Sequence, residues 1–255
     1  LENMNIIFLN FYPERIKILS MELMYIYHSG FVISTSSCNI IIDYYKDPAN
    51  IIPSILKQTE KKLYVLCSHF HADHYNPDIL FWKNVRQDIV YVFSNDIKKH
   101  KKIVDHSIHF LKKGDIYTNG ILRIVAFGST DIGTSFLIYH DNYTIFHAGD
   151  LNNWHWKDES TPNEIRKSEG DYLKELSDLR KEIKSIDLVM FPVDSRLGTD
   201  YALGAKQFLD KVQVKIFSPM HFWEDYKAVI DFALIAKDYN CRYISWQHPG
   251  EVVIW

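Results

Sequence analysis

Cysteine is scarce. Cys38, Cys67 and Cys241 are odd in number and far apart, and none sits in a Cys-x-x-Cys pair. That pattern excludes a disulfide framework and points to free thiols in a reducing compartment, so a cytoplasmic location is expected. An excess of positive charge is also missing: 29 Lys and Arg stand against 32 Asp and Glu, for a net charge of -3. Without a large positive field or a block of like charge, no nucleic-acid partner is expected. No apolar run approaches the ~20 residues of a membrane-spanning helix, so no membrane partner is expected either. Residues 1–20 lack the basic start, long apolar stretch and small-residue cleavage site of a signal peptide. They read as an extension outside the catalytic fold, with an extra edge strand or helix as the alternative. Residues 21–255 read as a single domain, since neither an internal repeat nor a low-complexity linker divides them. At 255 residues, 47% hydrophobic and 24% charged, the chain has the balance of an ordinary globular protein and the length to bury a substantial core.

Periodicity orders the elements. Residues 23–27 and 31–34 are β-rich around a Ser-Gly turn, and 39–45 is another strand ending at Asp47-Pro48. A short helix at 51–57 leads to the apolar strand 63–67. Pro77 opens a helix through Trp82, followed by a strand at 89–93 and a polar helix at 96–102. Strands at 108–111, 116–117 and 121–127 come next, the last two joined by Asn119-Gly120, a strong hairpin signal. A further hairpin spans 135–139 and 143–146 around Asp141-Asn142. The second half changes to strands alternating with helices: a charged helix at 162–184, a strand at 188–191, a helix at 202–212, a strand at 214–217, a helix at 226–237 and a strand at 242–245.

The chemistry concentrates in His69-Phe70-His71-Ala72-Asp73-His74, which follows the apolar strand directly. Imidazole and carboxylate are the usual ligands of borderline divalent metals. On a turning segment His69 and His71 can face one point while Asp73 and His74 face a neighbouring one. Two half-sites within six residues suggest a two-metal centre rather than one structural zinc.

This His-x-His-x-Asp-His run resembles the signature of the metallo-β-lactamase fold hydrolases, and three further stretches follow in the family's order. Tyr27-His28-Ser29-Gly30-Phe31 with Ile40-Ile41-Ile42-Asp43 is similar to the first hairpin of the branch that contains sugar-phosphate lactonases. His147-Ala148-Gly149-Asp150 resembles the Gly-Asp motif, and Met220-His221-Phe222 resembles the segment of the last ligand. The resemblance implies a four-layer αββα sandwich, an α/β (α+β) fold. It also implies a binuclear metallo-hydrolase with two divalent metal ions, zinc first, with manganese or iron as alternatives. By the same resemblance His69 and His71 hold the first metal, Asp73 and His74 the second, Asp150 bridges, and His221 completes the second position. A hydroxide formed between the metals, from a water whose pKa falls to ~7, would attack an ester, lactone, amide or phosphodiester of a small-molecule substrate. Asp73 would also act as the catalytic group that orients it and passes a proton to the leaving group.

One departure stands out. The family's third His of the first metal falls, by register with Ser135, on Asp131. A carboxylate there makes a harder site that could favour iron or manganese; the alternative is that Asp131 points away and the position is weak. His155, between Trp154 and Trp156, could supply the missing imidazole or meet substrate, or belong to a packed aromatic loop. His147 reads as structural or as a support to the ligands, and His28 carries no assignable role. Arg196 could bind an anionic group of the substrate or pair with its neighbours in a solvated loop. The competing function is a metal- or ligand-binding scaffold of the same fold that performs no turnover. A di-iron oxidoreductase would need an electron donor that no segment here provides.

Overall fold

A computed structural model describes residues 21–255; the expectation about residues 1–20 lies outside the described residues. The chain opens with β1 (Glu22–Tyr27), β2 (Gly30–Ser34), β3 (Cys38–Ile42), α1 (Ile52–Leu56), β4 (Lys62–Cys67) and a 3₁₀ segment (Pro77–Asn84). It continues with β5 (Val90–Ser94), α2 (Asn95–Lys101), β6 (Ile108–Leu111), β7 (Ile116–Thr118), β8 (Leu122–Phe127), β9 (Ser135–His140) and β10 (Tyr143–His147). The last part holds α3 (Pro162–Glu182), β11 (Ser185–Pro192), a second 3₁₀ segment (Ser195–Asp200), α4 (Leu203–Lys211), β12 (Gln213–Met220), α5 (Tyr226–Ala236), β13 (Arg242–Tyr243) and β14 (Val252–Ile254).

Two seven-stranded mixed sheets result, in the orders β14-β1-β2-β3-β4-β5-β6 and β13-β12-β11-β10-β9-β8-β7. Alternation of side chains along a strand decides what each sheet face covers. In the first sheet Tyr25, Phe31, Ile33, Ile40, Ile42, Tyr64 and Leu66 turn inward to the second sheet. Their neighbours Ile26, Val32, Ile41, Val65 and Cys67 turn outward and pack with Ile52 and Ile55 of α1, Ile79 and Ile97. The second sheet is covered by Tyr172, Leu176 and Leu179 of α3, whose spacing of four and three residues sets them on one helical face, and by residues of α4 and α5. The expected α-β-β-α layering is therefore present. Among the described residues, no helix is long and apolar enough to cross a membrane.

Both sheets share one pairing plan, antiparallel strands followed by parallel ones. β3·β4, β4·β5, β10·β11 and β11·β12 are all parallel. Parallel strands release their carboxyl ends at the same edge, so the segments after β3, β4, β10, β11 and β12 gather there. Backbone bonds stitch the two sheets at that edge: Thr134 N–H donates to Ser68 C=O at 2.9 Å and His221 N–H to His28 C=O at 3.1 Å.

Three local expectations change. The strand expected over 39–45 stops at Ile42, because Asp43 takes a left-handed conformation (φ 49°) that turns its side chain into the protein. The helix expected from Pro77 is 3₁₀. β14 was not expected; its three residues are too few to show alternation, yet they pair with Glu22 to Met24 and extend the first sheet beyond β1.

Candidate metal centre

Each side chain of the centre hangs from a strand end at the shared edge. His69 to His74 follow β4, Asp131 lies in the β8–β9 turn, Asp150 follows β10 and His221 follows β12. The backbone there is tightly bent: His28, Asp43, Gly133, Gly149, His221 and Trp223 all have positive φ. In the four residues other than glycine such conformations cost energy and persist where surrounding structure holds them, commonly at functional sites. Gly133 is required for closeness as well. A Cβ on it would lie 2.2 Å from Ser68 O and 2.5 Å from His69 Cβ. Gly133→Ala is therefore expected to destabilise the fold by about 1–3 kcal/mol and to displace His69; denaturant unfolding beside metal content checks both.

Two donor groups form, each with its ligand atoms within 4.8 Å of one another: His69, His71, Asp131 and Asp150, and His28, Asp73, His74 and His221. Asp150 touches both. Its Oδ2 is 3.3 Å from His69 Nε2, while its Oδ1 is 3.1 Å from His74 Nε2 and 3.4 Å from His221 Nε2. Asp131 Oδ2 faces His71 Nδ1 at 3.4 Å, so the residue found where the family's histidine was expected points into the group. His155 does not. Its Nδ1 accepts Lys157 N–H at 3.0 Å and its Nε2 faces Asp200 C=O at 3.3 Å, which commits the ring to its own loop. His147 is likewise used up, donating from Nε2 to Ser29 C=O and accepting Gly149 N–H at Nδ1.

Buried partners aim the histidines. Asp43, fully buried, accepts Ser68 N–H at 2.7 Å, Ser68 Oγ–H at 2.6 Å and His74 Nδ1–H at 2.8 Å. Since the Ser68 hydroxyl proton goes to Asp43, His69 Nδ1 is the donor in its 3.0 Å contact with Ser68 Oγ. One carboxylate thus fixes His74 directly and His69 through a serine. Asp194 does the same for His221, accepting its Nδ1–H at 2.9 Å while held by the Nε of Arg196 at 2.9 and 3.0 Å. With each Nδ1 protonated, the Nε2 lone pairs turn toward Asp150.

The arrangement fits divalent cations. His69 Nε2, His74 Nε2, Asp150 Oδ1 and both nitrogens of His28 are buried and have no hydrogen-bond partner among the described residues. Buried polar groups are ordinarily satisfied. Nitrogens and carboxylate oxygens that converge without a proton between them are the donor set a cation satisfies. Without a cation the groups polarise one another instead. Burial opposes charge on His74, but the Asp150 and Asp43 carboxylates raise its pKa well above the ordinary value. Burial would raise Asp150, yet His74 and His221 hold it well below the usual carboxylate range.

Asp194 gives a pH test. Burial raises its pKa, but the hydrogen bonds from His221 and Arg196 bring it from 3.8 to about 2. A carboxyl with a lowered folded value contributes stability above its unfolded pKa and loses it as pH falls toward the folded one. Metal-free protein is thus expected to lose stability between about pH 4 and pH 2, with a shallower slope in Asp194→Asn; denaturant unfolding at stepped pH measures it.

The groups open on a cleft of about 300 Å³ lined by His71, Asp73, Thr130, Asp131, Trp154, Trp156 and Arg196. That lies at the lower end of small-molecule pockets. Trp154 donates Nε1–H to Asp150 C=O at 2.8 Å and lies nearly parallel to Trp156, 6.3 Å between centroids. Arg196, paired to Asp194, rests 5.5 Å over Trp223 with its side chain half exposed.

A family model described as a beta-lactamase superfamily domain matches residues 22–221. A UPF0173 metal-dependent hydrolase of Desulforamulus reducens is 24% identical over 221 residues, covering 79% of this chain and 84% of its own. The metallo hydrolase Igni18 from Ignicoccus hospitalis shares the fold with a TM-score of 0.64 at 16% identity, over 92% of this chain and 98% of that one. YhfI from Bacillus subtilis, a metallo-beta-lactamase fold protein, gives 0.63 at 12% identity, over 93% and 100%. CmlA, a diiron beta-hydroxylase from Streptomyces venezuelae, gives 0.57 at 13%, over 91% of this chain and 54% of its own. The family match runs from the first strand of the fold to His221 at the centre, and the chain belongs to the beta-lactamase superfamily.

Proposed function

We propose that the protein is a metal-dependent hydrolase of a small molecule, with two divalent metal positions. The observation that carries this reading is the pair of donor groups joined by Asp150 at the mouth of a cleft. His69, His71, Asp131 and Asp150 would hold one ion; Asp73, His74, Asp150 and His221 would hold the other. Zinc suits imidazole and carboxylate donors, and the carboxylate of Asp131 hardens the first position toward manganese or iron. Bound cations would supply Lewis acidity and bring a water's pKa to ~7.

The chain's own residues do the rest. Asp73, a quarter exposed at the cleft, would accept a hydrogen bond from the attacking water and pass a proton to the leaving group. Trp154 and Trp156 offer an apolar wall, and the exposed end of the Arg196 guanidinium offers a donor to a negatively charged part of the substrate. A cleft of this size admits a lactone, ester, amide or small phosphodiester.

The test is a hydrolysis screen over those four bond classes with metal-loaded and chelated protein. Turnover of one class that is lost on chelation and restored by metal supports the reading. Metal binding without turnover of any class moves the protein to the non-catalytic scaffold of the same fold.

A further inference from the structure

His28 is not one of the donors in that reading. It sits in the β1–β2 turn with φ 58°, an uncommon conformation for a residue other than glycine. Its backbone is held at both ends: N–H donates to Tyr25 Oη at 2.9 Å and C=O accepts from His221 N–H. Its ring is packed as firmly, 4.1 Å from Trp223 and 4.2 Å from His221 between centroids. The imidazole is fully buried, yet neither nitrogen has a hydrogen-bond partner among the described residues. Nε2 lies 3.4 Å from Asp73 Oδ2, among the ligand atoms of His74 and His221.

We infer that His28 is a further protein donor to the second metal position, which makes the two positions unequal. His28, His74 and His221 are buried and Asp73 is 25% exposed, whereas His71 and Asp131 of the first position are 41% and 47% exposed. The second position is the more enclosed by protein, although Asp73 and His221 reach the cleft, and the first is the more open to a substrate atom or solvent. A position with more buried protein ligands holds its ion more firmly than one with fewer and more exposed ligands. The first ion is therefore lost first on chelation.

The inference rests on the two-metal reading, and the experiment separates the two. The full chain labelled with ¹⁵N-histidine is titrated with zinc and its ring nitrogens are observed by NMR. Metal-type shifts on five histidines, His28, His69, His71, His74 and His221, are expected. Four such histidines with the His28 ring unmoved overturn the inference and leave the metal centre standing. No metal-type shift on any ring overturns the metal centre itself. In a zinc competition assay, His28→Gln is expected to weaken the tighter ion by more than 100-fold, beyond the ~10–100-fold that loss of an outer hydrogen-bond partner costs. A loss inside or below that range makes His28 a positioning residue for Asp73 and overturns the assignment. Should the variant fail to fold, the count of shifted rings in the unaltered chain decides alone.

Discussion

Asp150→Ala is expected to abolish stable metal binding at both positions and to lower hydrolysis by at least ~10³-fold, the loss that follows when several kcal/mol of metal-supplied stabilisation disappears. Asp150 reaches donors of both groups, His69 with one oxygen and His74 and His221 with the other. Removing it leaves those buried imidazole nitrogens with no anion to share. The loop itself should survive, because Trp154 is tied to the backbone carbonyl of Asp150 rather than to its carboxylate. Circular dichroism beside elemental analysis separates loss of metal from loss of fold. A folded Asp150→Ala protein that keeps both ions would contradict the shared role.

Asp43→Asn has the second largest expected effect, although Asp43 belongs to neither donor group. Its carboxylate receives the Ser68 amide, the Ser68 hydroxyl and His74 Nδ1. An amide offers one oxygen where these three donors need two, and it turns an N–H toward one of them. The Ser68 hydroxyl then loses its acceptor or His74 loses its tautomer, and His69 is released through Ser68. Loss of one outer partner ordinarily costs ~10–100-fold in metal affinity. Here two histidines in different groups share the partner, so the upper end, about 100-fold, is expected at each position. Calorimetric or competition titration with zinc measures it, and an affinity unchanged at both positions would show that Asp43 serves only the core.

Much of the fold is legible in the sequence because β2 to β5 are short, mostly apolar runs buried on both faces, and Asn119-Gly120 and Asp141-Asn142 mark later turns. The strand β14 is not, since three residues carry no period. Within the candidate centre, His69 to His74 announce themselves by density, and Asp131, placed by register alone, does face His71. The supporting carboxylates were hidden for a physical reason. Asp43 follows three isoleucines and read as the tail of a strand; only its left-handed turn shows that it points inward. Asp194 stands two residues before Arg196, in a segment whose sequence suits an anion-binding arginine and a solvated loop equally, whereas the structure buries it and aims it at His221. A carboxylate just after an apolar run is the available signal in both cases. His28 lies in a stretch that resembles the family's first hairpin, but its role is hidden because its neighbours come from the segments after β4 and β12, far away in sequence. The exposed Arg196 and the aromatic pair Trp154 and Trp156 do meet at the cleft, while His155 between the tryptophans faces its own loop.

Elemental analysis of the purified protein beside Asp131→Ala and His71→Ala tests the central claim most directly. Two divalent ions per chain in the unaltered protein, with one lost in each variant, is the predicted result, because Asp131 and His71 belong to one donor group only. No metal in the unaltered protein, even after reconstitution with zinc, manganese or iron(II), would contradict the account and leave a binding scaffold in its place.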